Sequence, residues 1–176
     1  MTRAFGPHPR WVHLPSAVNL EDFVPATEAQ KDNARRHFGL GKGPVIVCVS
    51  RWVPRKGQDQ LLRAMPRVRQ TYPDAQLLII GRGSYESTLR VLAQEYCPDA
   101  VLKGARDTDE LLMALHAADI FAMPARTRGG GLDVEGLGIV YLEAQAAGLP
   151  VIAGDSGGAP ETVTPETGVV VRGSSL

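Results

Sequence analysis

The sequence predicts an α/β fold, a parallel β-sheet with helices on both faces. Three observations carry this expectation. Strand-like and helix-like segments alternate strictly from Pro44 onward. The strand-like runs are short, continuous and apolar, as in strands covered on both sides. Basic or glycine-rich loops follow the strands, and in open parallel sheets ligands bind at those carboxyl-end junctions.

The elements follow in order. Proline and histidine crowd Gly6 to Pro15, and Leu14 to Asn19 reads as a short extended piece entering a turn. Thr27-Glu28-Ala29-Gln30 has the pattern of a helix start, and that helix should run to Phe38 and stop at Gly39. Val45 to Val49 is the first buried strand. Gln58 to Gln70 is amphipathic, with Leu61, Leu62, Met65 and Val68 on one side, and Pro66 predicts a kink or break within it. Ala75 to Ile80 is the second strand, followed by a helix from about Ser84 to Glu95 and a short strand at Val101-Leu102. Thr108 to Ala117 is a helix whose first turn carries Asp109 and Glu110, which complement its dipole. Ile120 to Met123, Pro150 to Ala153 and Gly168 to Val171 complete the strands, with a helix from Ile139 to Ala147 that stops at Gly148 and Pro150. No internal repeat or low-complexity segment interrupts this order.

Composition narrows the function. An apolar fraction of 44% and a charged fraction of 22% over 176 residues suit one globular domain with a substantial core. The 19 basic residues balance 19 acidic ones, which gives no support for non-specific nucleic-acid binding. Cys48 and Cys97 lack metal-ligand spacing and read as free thiols of a reducing compartment. No apolar run approaches the ~18 residues of a membrane helix, and the N-terminus has no signal-peptide pattern. A cytoplasmic location is expected, with peripheral contact at the inner face of the plasma membrane left open. His8, His13, His37 and His116 do not gather at any junction, so neither a histidine base nor a metal set is expected; His116 reads as structural.

The junctions carry the chemistry. Two glutamates, Glu135 and Glu143, frame a segment that follows a strand and the loop Arg128-Gly129-Gly130-Gly131 and then enters a helix. Were the whole segment helical, the two would lie roughly 12 Å apart at ~1.5 Å per residue. That exceeds the about 5 to 9.5 Å of a paired-carboxylate glycosidase. A loop carboxylate, small residues at a helix start and a second carboxylate in the helix suit a sugar-nucleotide: free amides meet phosphate and carboxylates accept from hydroxyls. Two solvated glutamates flanking a helix would give the same pattern. After the first strand, Arg51 and Lys56 are two cations converging on the carboxyl edge, a fork and a point charge suited to a diphosphate; a solvated basic loop is the alternative. Pro54 turns the chain between Arg51 and Arg55, which predicts Arg55 as the surface member. Gly81-Arg82-Gly83 follows the second strand and suits a tight turn letting backbone approach a ligand, or a simple turn. Gly157-Gly158-Ala159-Pro160-Glu161 fits either a ligand-side loop or turn chemistry. Gly41-Lys42-Gly43 precedes a strand and is no phosphate loop.

In combination these features are more specific than singly. Arg51 and Lys56, the Glu135-to-Glu143 segment and Gly157-Gly158 with Glu161 occur in an order that resembles the C-terminal, donor-binding domain of retaining GT-B glycosyltransferases, glycosyltransferase family 4. The stretches Ser50 to Gln58 and Asp119 to Gly136 are most similar to actinobacterial phosphatidylinositol mannoside mannosyltransferases. The resemblance covers the chain from about Val12. It implies a Rossmann-like domain over residues 41–176, lacking the final helices, preceded by an interdomain linker segment and first helix over residues 1–40. It implies Arg51 and Lys56 on the donor diphosphate, Glu135 with the amides of Gly136, Leu137 and Gly138 on the transferred sugar and β-phosphate, and Glu143 on the ribose. Gly81 lies at the same edge, and the base is expected near Gly104 to Arg106. Arg51, Lys56 and Glu135 are the candidate catalytic residues. The implied donor is GDP-mannose, with no metal and no cofactor; the implied acceptor is a phosphatidylinositol mannoside-type lipid, reached through an N-terminal domain. Asn19 stands where the linker usually has aspartate. A stand-alone nucleotide-sugar-binding module acting with a separate partner chain is the alternative. A dinucleotide-dependent dehydrogenase is disfavoured, because Glu86 replaces the third glycine of its fingerprint and no acid ends the second strand.

Overall fold

The computed structural model describes residues 16–104 and 108–174. Six parallel strands form one sheet in the order β3-β2-β1-β4-β5-β6: β1 Val45–Val49, β2 Gln76–Ile80, β3 Val101–Lys103, β4 Ile120–Met123, β5 Val151–Gly154 and β6 Gly168–Val171. The helices are α1 Glu28–Phe38, α2 Gln58–Thr71, α3 Glu86–Tyr96, α4 Thr108–Ala117 and α5 Ile139–Ala146. The chain adds β2 and β3 on one side of β1, then returns to add β4 on the other. The carboxyl ends of β1 and β4 therefore flank a topological switch point, where loops diverge and leave a crevice.

Each strand is a five-residue or shorter apolar run, and alternate side chains feed two cores. Val45, Val47, Leu78, Ile80, Phe121, Met123, Val151 and Ala153 pack with α1, α4 and α5. Leu77 and Ile79 pack with Trp52, with Leu62 and Met65 of α2, and with Leu89 and Leu92 of α3. This is the expected sheet with helices on both faces. On the second face an apolar groove of about 510 Å³ also runs between α2 and the sheet residues Ala122, Ile152 and Val171.

Thr27 caps α1 as anticipated. Its Oγ1 accepts from the Gln30 N–H at 3.3 Å, and its own N–H donates to Gln30 Oε1 at 2.9 Å. Asp119, just before β4, joins three elements: it accepts from Lys31 Nζ at 2.6 Å and Arg35 Nη2 at 2.7 Å of α1, and from the Val45 N–H of β1 at 2.7 Å. His116 has its Nε2 3.1 Å from the Val24 carbonyl, a structural contact as expected. Cys48 and Cys97 are buried free thiols.

The break expected at Pro66 does not occur, and α2 runs unbroken through it. Pro66 lies on the exposed side, so its ring displaces no core residue, while burial of Leu62 and Met65 holds the turns on either side. Gly6 to Pro15, with His8 and His13, and the expected base contact at Arg106 lie outside the described residues.

Candidate functional site

The site grows from two strand-to-helix junctions zipped together by backbone bonds. Ser50 N–H donates to the Ile80 carbonyl at 3.0 Å, Trp52 N–H to the Arg82 carbonyl at 2.9 Å, and Tyr85 N–H to the Trp52 carbonyl at 3.0 Å. A Cβ at Gly81, where φ is +150°, would collide with the Ser50 carbonyl oxygen. The Gly81 turn thus serves close approach of one loop to the other, rather than only approach to a ligand. Gln58, fully buried, donates from Nε2 to Ser50 Oγ and to the Arg51 carbonyl, both at 2.8 Å, and so fixes the start of the basic loop.

A cavity of about 510 Å³ opens at this carboxyl edge. Arg51, Lys56, Gly81, Glu135, Gly138 and Glu143 all line it. Six of the expected site residues, from three separate stretches of chain, therefore face one space. Gly136 and Leu137 do not line it, but the N–H groups of Gly136, Leu137 and Gly138 make no hydrogen bond among the described residues. They precede α5, whose N-terminal end adds a partial positive charge. The Glu135-to-Glu143 segment is not one helix: Glu135 sits on the loop and Glu143 within α5.

The charges are not equivalent. The Arg51 side chain is exposed and has no partner among the described residues. Lys56 is buried, and its Nζ lies 2.7 Å from Oε2 of Glu135, which is also buried. The expectation that Arg55 is the surface member is overturned. Its side chain is only 17% exposed; Nη1 donates to Asp133 Oδ1 at 3.4 Å and Nε lies 3.7 Å from Glu135 Oε2. The short 3₁₀ turn Pro54–Lys56 reverses the chain tightly, so Arg55 points inward while Arg51 is left outside. Glu143 is half-buried, and burial raises its carboxyl above the ordinary range.

Three further groups support the site; Ser156 and the Arg126–Asp59 pair were not anticipated, whereas the Gly157-Gly158 loop was read as either a ligand-side loop or a turn. Ser156 is fully buried and its Oγ accepts from the Glu135 N–H at 3.0 Å. The Gly158 N–H donates to the carbonyls of Glu135 at 3.2 Å and Gly136 at 2.9 Å, so the Gly157-Gly158 loop is a brace for the Glu135 backbone. Arg126 pairs with buried Asp59 at 2.7 Å, and its N–H donates to the Arg55 carbonyl at 2.8 Å, tying the β4 loop to the basic loop. Arg82, exposed, adds a third cation to the rim, one that sequence reasoning left in a turn. It was nearest to legible, since it follows β2 as Arg51 follows β1.

Cations, free amides and two carboxylates at the switch point of a doubly wound sheet are chemically suited to a phosphorylated, hydroxyl-rich ligand. The chain belongs to the family of glycosyl transferases group 1, which it matches over residues 30–175. It is 61% identical over 174 residues to a GDP-mannose-dependent monoacylated alpha-(1-6)-phosphatidylinositol monomannoside mannosyltransferase of Corynebacterium glutamicum, covering 98% of this chain and 46% of that protein. It is 52% identical over 176 residues to the GDP-mannose-dependent alpha-(1-6)-phosphatidylinositol monomannoside mannosyltransferase of Mycolicibacterium smegmatis, with the same coverage of 98% and 46%. Among solved structures, sucrose-phosphate synthase from Thermosynechococcus elongatus superposes with a TM-score of 0.73 at 31% identity, over 92% of this chain and 39% of that one. The chain thus spans about half the length of the curated relatives it matches. Its fold is that of the C-terminal domain of GT-B glycosyltransferases.

Proposed function

We propose that this chain is the donor-binding part of a retaining mannosyltransferase that moves mannose from GDP-mannose to a phosphatidylinositol mannoside-type lipid. The observation that carries this reading is the convergence of Arg51, Lys56, Glu135 and Glu143 on one cavity at the switch point. The 61% identity to a GDP-mannose-dependent enzyme favours guanine and mannose over other nucleotide sugars. Arg51, free at the rim, and Lys56 take the diphosphate. Glu143 accepts from the ribose hydroxyls. Glu135 accepts from mannose hydroxyls, with the amides of Gly136, Leu137 and Gly138 turned to the β-phosphate. The cations and the helix end stabilise the charge that grows on the leaving diphosphate, which is electrostatic preorganisation without a metal. The acceptor is held by an N-terminal domain, at the cytoplasmic face of the membrane that carries the lipid.

Calorimetric titration tests this reading with GDP, GDP-mannose, UDP and UDP-glucose. GDP-mannose should bind more tightly than GDP, and both more tightly than the uridine pair. Arg51→Ala and Lys56→Ala should each weaken GDP by about 1.5 to 3 kcal/mol, the range for hydrogen bonds to charged groups. EDTA should change none of these values. Absence of guanine-nucleotide binding, or indifference to both substitutions, would overturn it.

A further inference from the structure

Lys56 faces two demands. In the structure its Nζ lies 2.7 Å from Glu135 Oε2, with both side chains at most 10% exposed. Under the donor-binding reading above, on which this inference rests, the same ammonium turns to a diphosphate. Glu135 would then be a buried carboxylate deprived of its cation, which is strongly destabilising. A replacement stands beside it. Arg55 Nε lies 3.7 Å from the same Oε2. Both atoms are buried, and neither has a hydrogen-bond partner among the described residues. The contact with Lys56 is therefore ionic without hydrogen-bond geometry. A buried donor without a hydrogen-bond partner thus lies slightly beyond bonding range of the carboxylate oxygen that Lys56 holds.

Arg55 is also held so that little motion is required. Its Nη1 donates to Asp133 Oδ1 at 3.4 Å, and its carbonyl accepts the Arg126 N–H at 2.8 Å. Arg126 is anchored in turn on Asp59. The other end of the contact is equally fixed, since the Glu135 N–H is bonded to Ser156 Oγ and its carbonyl to the Gly158 N–H. With both backbones fixed, a small rotation of the Glu135 carboxylate toward Arg55 closes the gap once Lys56 turns away. A guanidinium suits this role because its planar fork can bond Asp133 and Glu135 at once.

We propose that Arg55 is a positioning residue that takes over Glu135 when Lys56 turns to the diphosphate, and thereby aims the Glu135 carboxylate at the transferred sugar. It touches no ligand itself. Any diphosphate ligand draws Lys56 away and calls on this handover, but only a ligand that carries the sugar also calls on the direction of Glu135, so the effect is larger for GDP-mannose than for GDP.

Two measurements test this. In calorimetry, Arg55→Met should weaken both ligands, with the loss for GDP-mannose about tenfold greater than the loss for GDP. Arg55→Lys should recover part of the loss, and Arg55→Met added to Glu135→Gln should cost nothing further. Asp133→Asn, at a more exposed site, should reduce the preference in the same direction but less. Equal weakening of GDP and GDP-mannose, or an undiminished loss in the Glu135→Gln background, would overturn the proposal. The second measurement needs no ligand. A denaturant double-mutant cycle between Arg55→Met and Glu135→Gln is run with Lys56 present and again with Lys56→Met. The non-additivity should at least double when Lys56 is removed; an equal or smaller value refutes the handover. If that coupling rises while no nucleotide sugar binds, the donor-binding reading fails and the handover stands.

Discussion

Glu143 shows how a single side chain can serve a site at the expense of the fold. Burial raises its carboxyl, so the folded chain holds the proton more tightly than the unfolded chain does. Stability from this group therefore falls as pH rises from the ordinary carboxylate value through the raised one, and the cost is complete above it. Glu143→Gln should raise the melting temperature at neutral pH, with a gain that disappears in mild acid, and should weaken GDP. An unchanged melting temperature at neutral pH would contradict the burial argument; unchanged GDP affinity would contradict the ribose role. Asp119 behaves in the opposite sense. Burial opposes its charge, but the Lys31 ammonium, the Val45 N–H and the Arg35 guanidinium outweigh it and hold the carboxyl below its usual range. Its stabilisation is present above the unfolded value and is lost as pH falls through the folded one. Asp119→Asn should cost about 1 to 2 kcal/mol at neutral pH, allowing for solvent screening of a partly exposed group, and progressively less in acid. Denaturant titrations across pH would read both trends.

Between elements, the brace formed by Gly157-Gly158 makes the sharpest prediction. Gly157 has φ +57°, and a Cβ there would strike the Glu135 carbonyl oxygen, which is backbone and cannot turn aside. Gly157→Ala should displace the Glu135 loop and lower GDP-mannose affinity at least tenfold, about 1.4 kcal/mol, with far-ultraviolet circular dichroism unchanged. Retained affinity would mean that the brace does not position Glu135. The same scale shows where local reading falls short. Pro66 breaks a helix by local rule, yet α2 continues, because both flanking turns are buried against the sheet. Pro54 was expected to turn Arg55 outward; the tight 3₁₀ turn carries it inward.

At the scale of the whole molecule, the strand order puts the cavity at the reversal between β1 and β4, with the exposed Ile139 in its lining. Leu132 is exposed as well, whereas Leu137 between them in the chain is half-buried. The chain spans 46% of its mannosyltransferase relatives. A sugar transfer needs an acceptor hydroxyl held against the donor, and positioning of that kind accounts for much of an enzyme's rate. The 176-residue chain alone should therefore bind donor and transfer nothing. A radiolabelled GDP-mannose assay with phosphatidylinositol mannoside acceptor checks this; turnover by the chain alone would refute it, and activity on adding the remaining half in trans would support it.

The sequence by itself determined the parallel sheet, all six strands within a residue or two, and the gathering of Arg51, Lys56, Glu135 and Glu143 at one edge. These are local properties: an apolar run specifies a buried strand, and a loop after a parallel strand emerges at the carboxyl end. Only the tertiary structure decided that Arg55 points inward, that Lys56 is already paired with Glu135, and that Ser156 holds the Glu135 amide. Ser156 lies 21 residues beyond Glu135, and Arg55 reaches Asp133 across 78. Contacts over such separations depend on how the strands are ordered and how tightly the loops pack, and no local periodicity encodes either.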